Sequence, residues 1–334
     1  MNSFSAVAHP SKEVMDVIRR ISFLLAVVML LGAVPVEGQS VRWVDFSVPY
    51  ESLKYAMEMD IETFEEEKHL SWIDVLALAA CRTGGKCPLA SVKKAVAQLK
   101  GDESPEELLG SLYQYYDYYH RSFQAVLGGF LGSYAVEKDG EWVSRYGLKA
   151  FSPIAAGFGF SHCDDFGASR SFGFKRKHLG HDMMGGLGTP IVAVEGGVVE
   201  AMGWNRYGGW RIGIRSFDGK RYYYYAHLQK DHPFVDDLKQ GDMVQAGDVI
   251  GFMGRTGYSD QENVNNIETV HLHFGMQLVF DESQKECLSE IWIDVYDIVR
   301  LLNGHRSSLR KTGSGWQRVY PYRDLDIDQL DTKL

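Results

Sequence analysis

The chain has 334 residues, 45% of them hydrophobic, and a formal net charge of −9. That length exceeds what one average domain needs, and the apolar content is sufficient for packed cores. An acidic balance without a basic surplus argues against a nucleic-acid partner.

The first element is at the N-terminus. Lys12, Arg19 and Arg20 precede an apolar run from Ile21 to Val36 in which only Ser22 is polar. Val36-Glu37-Gly38 then offers small residues for signal-peptidase cleavage before Gln39. A basic flank, a short apolar region and a small-residue site read as a secretory signal. The run is shorter than the ~20 residues of a usual membrane span. Residues 1–38 are therefore expected to be a cleaved signal or an uncleaved anchor that attaches the chain to a membrane through residues 21–36. Either reading exports the rest of the protein. A buried core helix is disfavoured, because the run lacks the polar face that globular helices carry. No later segment is long and apolar enough to span a membrane.

Residues 41–148 read as a small helical domain. Ser71 caps WIDVLALAA, with Asp74 three residues on, and Gly84, Gly85 and Pro88 stop it. Ser91 opens a second helix with Val92, Ala95, Val96 and Leu99 at helical spacing, ended by Gly101. Ser104-Pro105-Glu106-Glu107 combines an N-cap serine, proline at the first helical position and a capping-box glutamate. Leu108, Leu112, Tyr116, Tyr119, Phe123, Val126 and Phe130 then form one stripe, read as core rather than as a sugar-stacking surface. Glu62–Lys68 is a charge run expected on a solvated face or loop. Of the four cysteines, Cys81 and Cys87 flank a glycine turn; a local disulfide and two buried thiols both remain open.

From Phe151 the pattern changes to short strand-like runs punctuated by glycine turns: IVAV, VVEAM, WRIGIR, RYYYYAHL and VHLHFGMQLVF. Residues 151–302 are expected to form a compact antiparallel β domain, closed by IWIDVYDIVRLL as a strand end or short helix. The whole chain is thus α+β. Residues 303–334 are polar and read as a C-terminal tail of low definition.

Three histidine-bearing segments lie in the β domain. His178 and Asp182 are four apart, His227 ends a strand, and His271-Leu272-His273 is a His-x-His pair. Residues two apart on a strand share a face, so the last two imidazoles look into one pocket. Two histidines and a carboxylate suit a catalytic zinc site, which uses three protein ligands plus a water. The ion lowers the pKa of that water and polarises a carbonyl, and the remaining histidines serve acid–base or oxyanion roles. His162, His181 and His232 complete no ligand spacing, and His181 is expected to face solvent. His9, His69, His120 and His305 are read as ordinary surface residues.

Across residues 151–302 the segments DDFGASRSFGFKRKHLGHDMM, LGTPIVAVEGGVVEAMGW, YGGWRIGIRSFDGKRYYYYAHL, KQGDMVQAGDVIGFMGRTGYS and VHLHFGM occur in the order seen in the lysostaphin-type zinc endopeptidases of bacterial cell walls. The chain resembles that family. The resemblance implies an antiparallel sheet of the duplicated hybrid motif type with a groove over one zinc ion. It implies zinc ligands His178, Asp182 and His273, and a catalytic pair, His227 and His271. It implies hydrolysis of peptidoglycan cross-links or stem peptides, outside the cell, in the wall or at the outer face of the cytoplasmic membrane. The loop from Asp260 to Thr269 is longer than is usual in the family and is expected to line the groove. The reading from another class is a non-catalytic scaffold or activator at the cell envelope; the presence of all five site residues argues against it.

Overall fold

The computed structural model describes residue 44 and residues 46–172, 174–285, 289–313 and 315–325. The proposed signal or anchor lies outside these. Among the described residues no helix is long and apolar enough to cross a membrane.

Five α-helices come first: α1 (Tyr50–Thr63), α2 (Trp72–Thr83), α3 (Leu89–Leu99), α4 (Pro105–Leu109) and α5 (Tyr116–Leu127). Two of their starts are capped as the sequence suggests. The Ser71 hydroxyl accepts from the Ile73 N–H, and Ser104 and Glu107 form a reciprocal capping box. The start of α3 differs: it begins two residues before Ser91, after Pro88. The stripe from Leu108 to Phe130 is not one helix, since a 3₁₀ turn over Gly110–Tyr115 separates α4 from α5 and leaves Leu112 exposed. Phe123, Val126 and Phe130 are fully buried. Cys81 and Cys87 are both buried free thiols, so the local disulfide does not form.

The expected helical run to residue 148 ends at Leu127. Residues 131–148 form an antiparallel hairpin, β1 (Leu131–Lys138) and β2 (Glu141–Leu148). Strand β3 (Phe160–His162), β4 (Ser169–Phe172), β5 (Phe174–Lys177), β6 (His181–Gly185), β7 (Pro190–Val192), β8 (Gly197–Asn205), β9 (Gly209–Ser216) and β10 (Arg221–Ala226) follow. Next come β11 (Met243–Val244), β12 (Val249–Phe252), β13 (His271–Leu278), β14 (Ile291–Ile293) and α6 (Tyr296–Leu302).

The described part of the polar C-terminal segment, up to residue 325, departs from the expected tail. It contains a hairpin, β15 (Leu309–Thr312) with β16 (Gly315–Arg318), and β17 (Tyr322–Asp324), which pairs with β1. Composition missed these strands because their stability comes from partners far away in sequence rather than from their own apolar content.

The main sheet has eight strands in the order β11-β8-β9-β10-β13-β6-β3, with β14 also paired to β13. One edge of β13 runs against β10; the other is shared end to end by β6 at residues 271–274 and β14 at residues 276–278. Strand alternation sorts the side chains. Leu272, Phe274, Met276, Tyr223, Tyr225, Ile212 and Ile214 enter the core, whereas His271, His273, Tyr222 and Tyr224 lie on the opposite face.

Helices and sheet belong to one compact unit, residues 42–334. A buried ion network joins them. Arg221 is fully buried on β10 and donates to both carboxylate oxygens of Glu195, to Asp218 and to the Ala125 carbonyl of α5. The Tyr223 hydroxyl donates to Glu195 at 2.5 Å.

Candidate metal centre and groove

The open face of the sheet carries a cavity of about 820 Å³, and His178, Asp182, His227, His271 and His273 all line it. His178 sits just before β6, Asp182 on β6 and His273 on the neighbouring β13, where the ladder puts Asp182 directly opposite His273. A residue pair 91 positions apart is thereby brought to 3.0 Å between His273 Nδ1 and Asp182 Oδ1. His178 Nε2 lies 3.0 Å from the same oxygen and 2.9 Å from His273 Nδ1.

The three atoms thus form a nearly equilateral triangle. A tetrahedral zinc ion with bonds of roughly 2.0–2.1 Å separates its ligand atoms by about 3.3 Å, close to this spacing. Hydrogen bonding alone explains the triangle poorly, because the two facing imidazole nitrogens cannot both donate and both accept. Among the described residues, these three form a group that could hold a metal ion. Burial opposes the Asp182 carboxylate, yet the His178 and His273 imidazoles outweigh it and hold its pKa well below the usual range. Burial likewise depresses His273, keeping it in the neutral form that a metal requires.

Two residues that the motif reading passed over steady this triangle. His178 Nδ1 lies 3.2 Å from Asp165 Oδ2, and Arg170 reaches Asp165, the second oxygen of Asp182 at 3.2 Å, and His178 Nδ1 at 3.4 Å. Such outer partners orient ligands and set their tautomer. Their signal in the sequence is weak, since each is one charged residue in the loop and hairpin before His178. Gly180 matters for space rather than for its turn. A Cβ there would lie 2.5 Å from Cε1 and Nε2 of His273.

His227 and His271 face each other with ring centroids 4.7 Å apart. The Nδ1 of His227 lies 2.9 Å from the Thr256 carbonyl, and the Nδ1 of His271 lies 2.9 Å from the Thr269 carbonyl. A carbonyl only accepts, so each Nδ1 carries a proton. His271 Nε2 is 3.8 Å from Asp182 Oδ1. Burial, then the neighbouring His271 and His273, push the His227 pKa well below the ordinary imidazole value.

His227 also has φ of +61°, a conformation uncommon for a residue with a Cβ. Its N–H donates to the Gly208 carbonyl and its own carbonyl accepts from Gly254. Thr256, fully buried, donates its hydroxyl to the Leu228 carbonyl and accepts from the Trp210 N–H. This fixes the segment that holds His227, a role that the histidine pattern could not reveal.

Among the described residues, the other histidines do not join the centre. His181 does not face solvent: it is buried, because its β6 position alternates with Asp182. Its Nε2 lies 2.8 Å from His162 Nδ1, and burial, then His162, push its pKa down to about 4. His305 is not a plain surface residue either; it stacks on Phe151 with centroids 4.2 Å apart. The Asp260–Thr269 loop contributes no lining residue to the cavity; Tyr258, just before it, does. Asn263 of that loop is instead turned to Trp210 Nε1 and the Asp231 N–H.

Parts of the chain are similar to known proteins. The family model described as peptidase family M23 matches residues 176–285. The chain is 40% identical over 124 residues to the L-Ala–D-Glu endopeptidase of Bacillus subtilis, covering 37% of this chain and 36% of that protein. It is 39% identical over 98 residues to lysostaphin of Staphylococcus simulans, covering 29% of this chain and 17% of that protein. The chain thus spans well under half of these relatives. Among solved structures, a Ruminococcus gnavus chain named as a glycyl-glycine endopeptidase, lytM, aligns with a TM-score of 0.49 and 24% identity, over 84% of this chain and 95% of that chain. Residues 176–285 thus resemble a peptidase M23 domain, and lysostaphin is among the similar proteins.

Proposed function

We propose that this M23-like domain is a zinc endopeptidase that hydrolyses peptide bonds in peptidoglycan stems or cross-links. The observation that carries the reading is the triangle of His178, Asp182 and His273, with edges of 2.9–3.0 Å, beside two imidazoles whose Nδ1 atoms are held by backbone carbonyls. In this reading the triangle holds zinc. The bound ion would supply Lewis acidity at the scissile carbonyl and acidify a water molecule.

The chain's own residues supply the rest. Arg170 and Asp165 hold Asp182 and His178 in place. His227 and His271 present Nε2 lone pairs, one to take the proton of the attacking water. The imidazole so protonated can stabilise the oxyanion or return the proton to the leaving amine. The Thr256 and Thr269 carbonyls keep both rings in the tautomer this requires. Peptidoglycan as substrate is supported by the relatives named as endopeptidases of L-Ala–D-Glu bonds and as lysostaphin. An exported location is supported by the basic-then-apolar N-terminal segment.

The test is digestion of purified peptidoglycan by the full chain, with and without a chelator, followed by mass analysis of new peptide ends. New ends that disappear with chelator and return with added zinc are expected. Unchanged peptidoglycan with zinc-loaded protein would remove the proposed activity.

A further inference from the structure

The groove has a charge pattern that the hydrolytic centre does not need. Five cationic side chains line it, Arg170, Arg176, Lys177, Arg211 and Lys285, against three carboxylates. The chain as a whole carries −9, so this positive cleft runs against the overall charge.

Two of these cations are already partnered. Arg170 is held by Asp165 and Asp182, and Lys285 by Glu200 and Glu282. Arg215, next along β9 from the groove face, is paired with Glu200 as well. Arg211 and Arg176 differ. Each has an Nη1 that is shielded from solvent and has no hydrogen-bond partner. Arg211 stands on the floor of the sheet on β9, near Tyr222 and Tyr224. Arg176 rises from the β4–β5 hairpin, its guanidinium 4.8 Å from the Tyr207 ring and 5.1 Å from the Tyr258 ring. Those rings offer the cation their π-faces and no hydrogen-bond acceptor for its Nη1.

A guanidinium nitrogen taken out of water without an acceptor is costly, and such groups in folded proteins are normally satisfied. The planar fork of Arg matches a carboxylate better than any neutral acceptor. We propose that the groove selects peptides bearing a free carboxylate close to the scissile bond, with Arg211 as the principal anchor and Arg176 as a second one. This rests on the endopeptidase reading, and it narrows the substrate class to acidic stem peptides over glycine-only bridges or amidated stems.

The experiment compares zinc-loaded protein on two matched stem peptides that differ only in a glutamate carboxylate or its carboxamide. Hydrolysis is followed as kcat/KM, and binding of both peptides is measured by calorimetry. Wild type is expected to favour the carboxylate by about tenfold to a hundredfold, as charge-assisted hydrogen bonds do. In Arg211→Gln that ratio should fall toward one, mainly through KM, with zinc content and melting temperature held. Arg211→Lys should restore part of it, and Arg176→Gln should lower it less.

Equal ratios in wild type and Arg211→Gln would overturn the proposal. So would tighter, Arg211-dependent binding of poly(glycerol phosphate) than of the acidic peptide, which would assign the cleft to an anionic polymer. If neither peptide nor peptidoglycan is cut, the endopeptidase reading fails, and the calorimetric preference still decides the carboxylate subsite on its own.

Discussion

Gly180 lies directly against the imidazole of His273, so close that a methyl group in place of its hydrogen would sit 2.5 Å from the ring. The backbone carbonyl of Phe274 closes the other side at 2.9 Å. The triangle therefore depends on a residue that donates nothing to it. Gly180→Ala should push His273 out of register with His178 and Asp182. The expected result is a loss of zinc affinity of about tenfold or more, comparable to the loss of an outer partner, with the fold kept. Zinc titration of the purified variant beside wild type checks it; wild-type affinity would mean that the ring or the backbone can yield.

Arg170→Gln should weaken the site without touching a ligand. It removes the contact to the second oxygen of Asp182 and leaves Asp165 and His178 less restrained. Zinc affinity should drop by about 10–100-fold, and Asp165→Asn should do the same to a smaller degree. Competition with a metal-sensitive dye reads both.

His227→Ala and His271→Ala should each keep the ion and lose the chemistry. Neither side chain belongs to the triangle, and removal of a general acid–base group costs about 10²–10⁴-fold in kcat. Metal analysis beside turnover separates this outcome from loss of zinc. Because burial keeps His227 neutral below the ordinary imidazole range, the acid limb of kcat/KM in the wild type should lie below pH ~6.5.

Acid should reduce stability before it protonates the carboxylates. Burial lowers the pKa of His305 and of His162 below the ordinary imidazole value. As pH falls through ~6.5 the unfolded chain takes up protons that the folded chain still refuses. Stability on this account is full above that pH and declines below it, until the folded-state pKa values are reached. Melting temperature of the metal-free protein should therefore fall between pH 7 and 5, and His305→Asn should flatten the slope. An unchanged slope would take His305 out of the effect.

Arg221→Ala should be among the most damaging changes away from the groove. It leaves Glu195 without its buried partner and cuts the bond to the Ala125 carbonyl that ties α5 to the sheet. Breaking a buried pair from one side costs about 3–5 kcal/mol. Urea denaturation should show it, with Arg221→Met milder at equal charge loss because it retains packing volume.

Much of the site was legible without coordinates because strand alternation is a local rule. His271 and His273 had to share a face once their segment was a strand, and Leu272 had to point the other way. The capping box at Ser104 was equally local. Where local rules stopped, the reading went astray. It continued the helical region through the hairpin of residues 131–148, left residues 303–334 as a tail, and turned His181 toward solvent. It also placed the Asp260–Thr269 loop in the groove, where Tyr258 stands instead.

Residue order alone thus determined which chemical groups were available and which sides of their strands they occupied. Only the tertiary structure decided what they met. The pairing of β6 with β13 brings Asp182 to His273 across 91 positions, the hairpin before it adds Arg170, and Thr256 sets the tautomer of His227. The physical reason is range: backbone periodicity fixes side-chain direction over a few residues, whereas a metal triangle or a shared proton requires ångström-scale approach between segments that only long-range strand pairing can align.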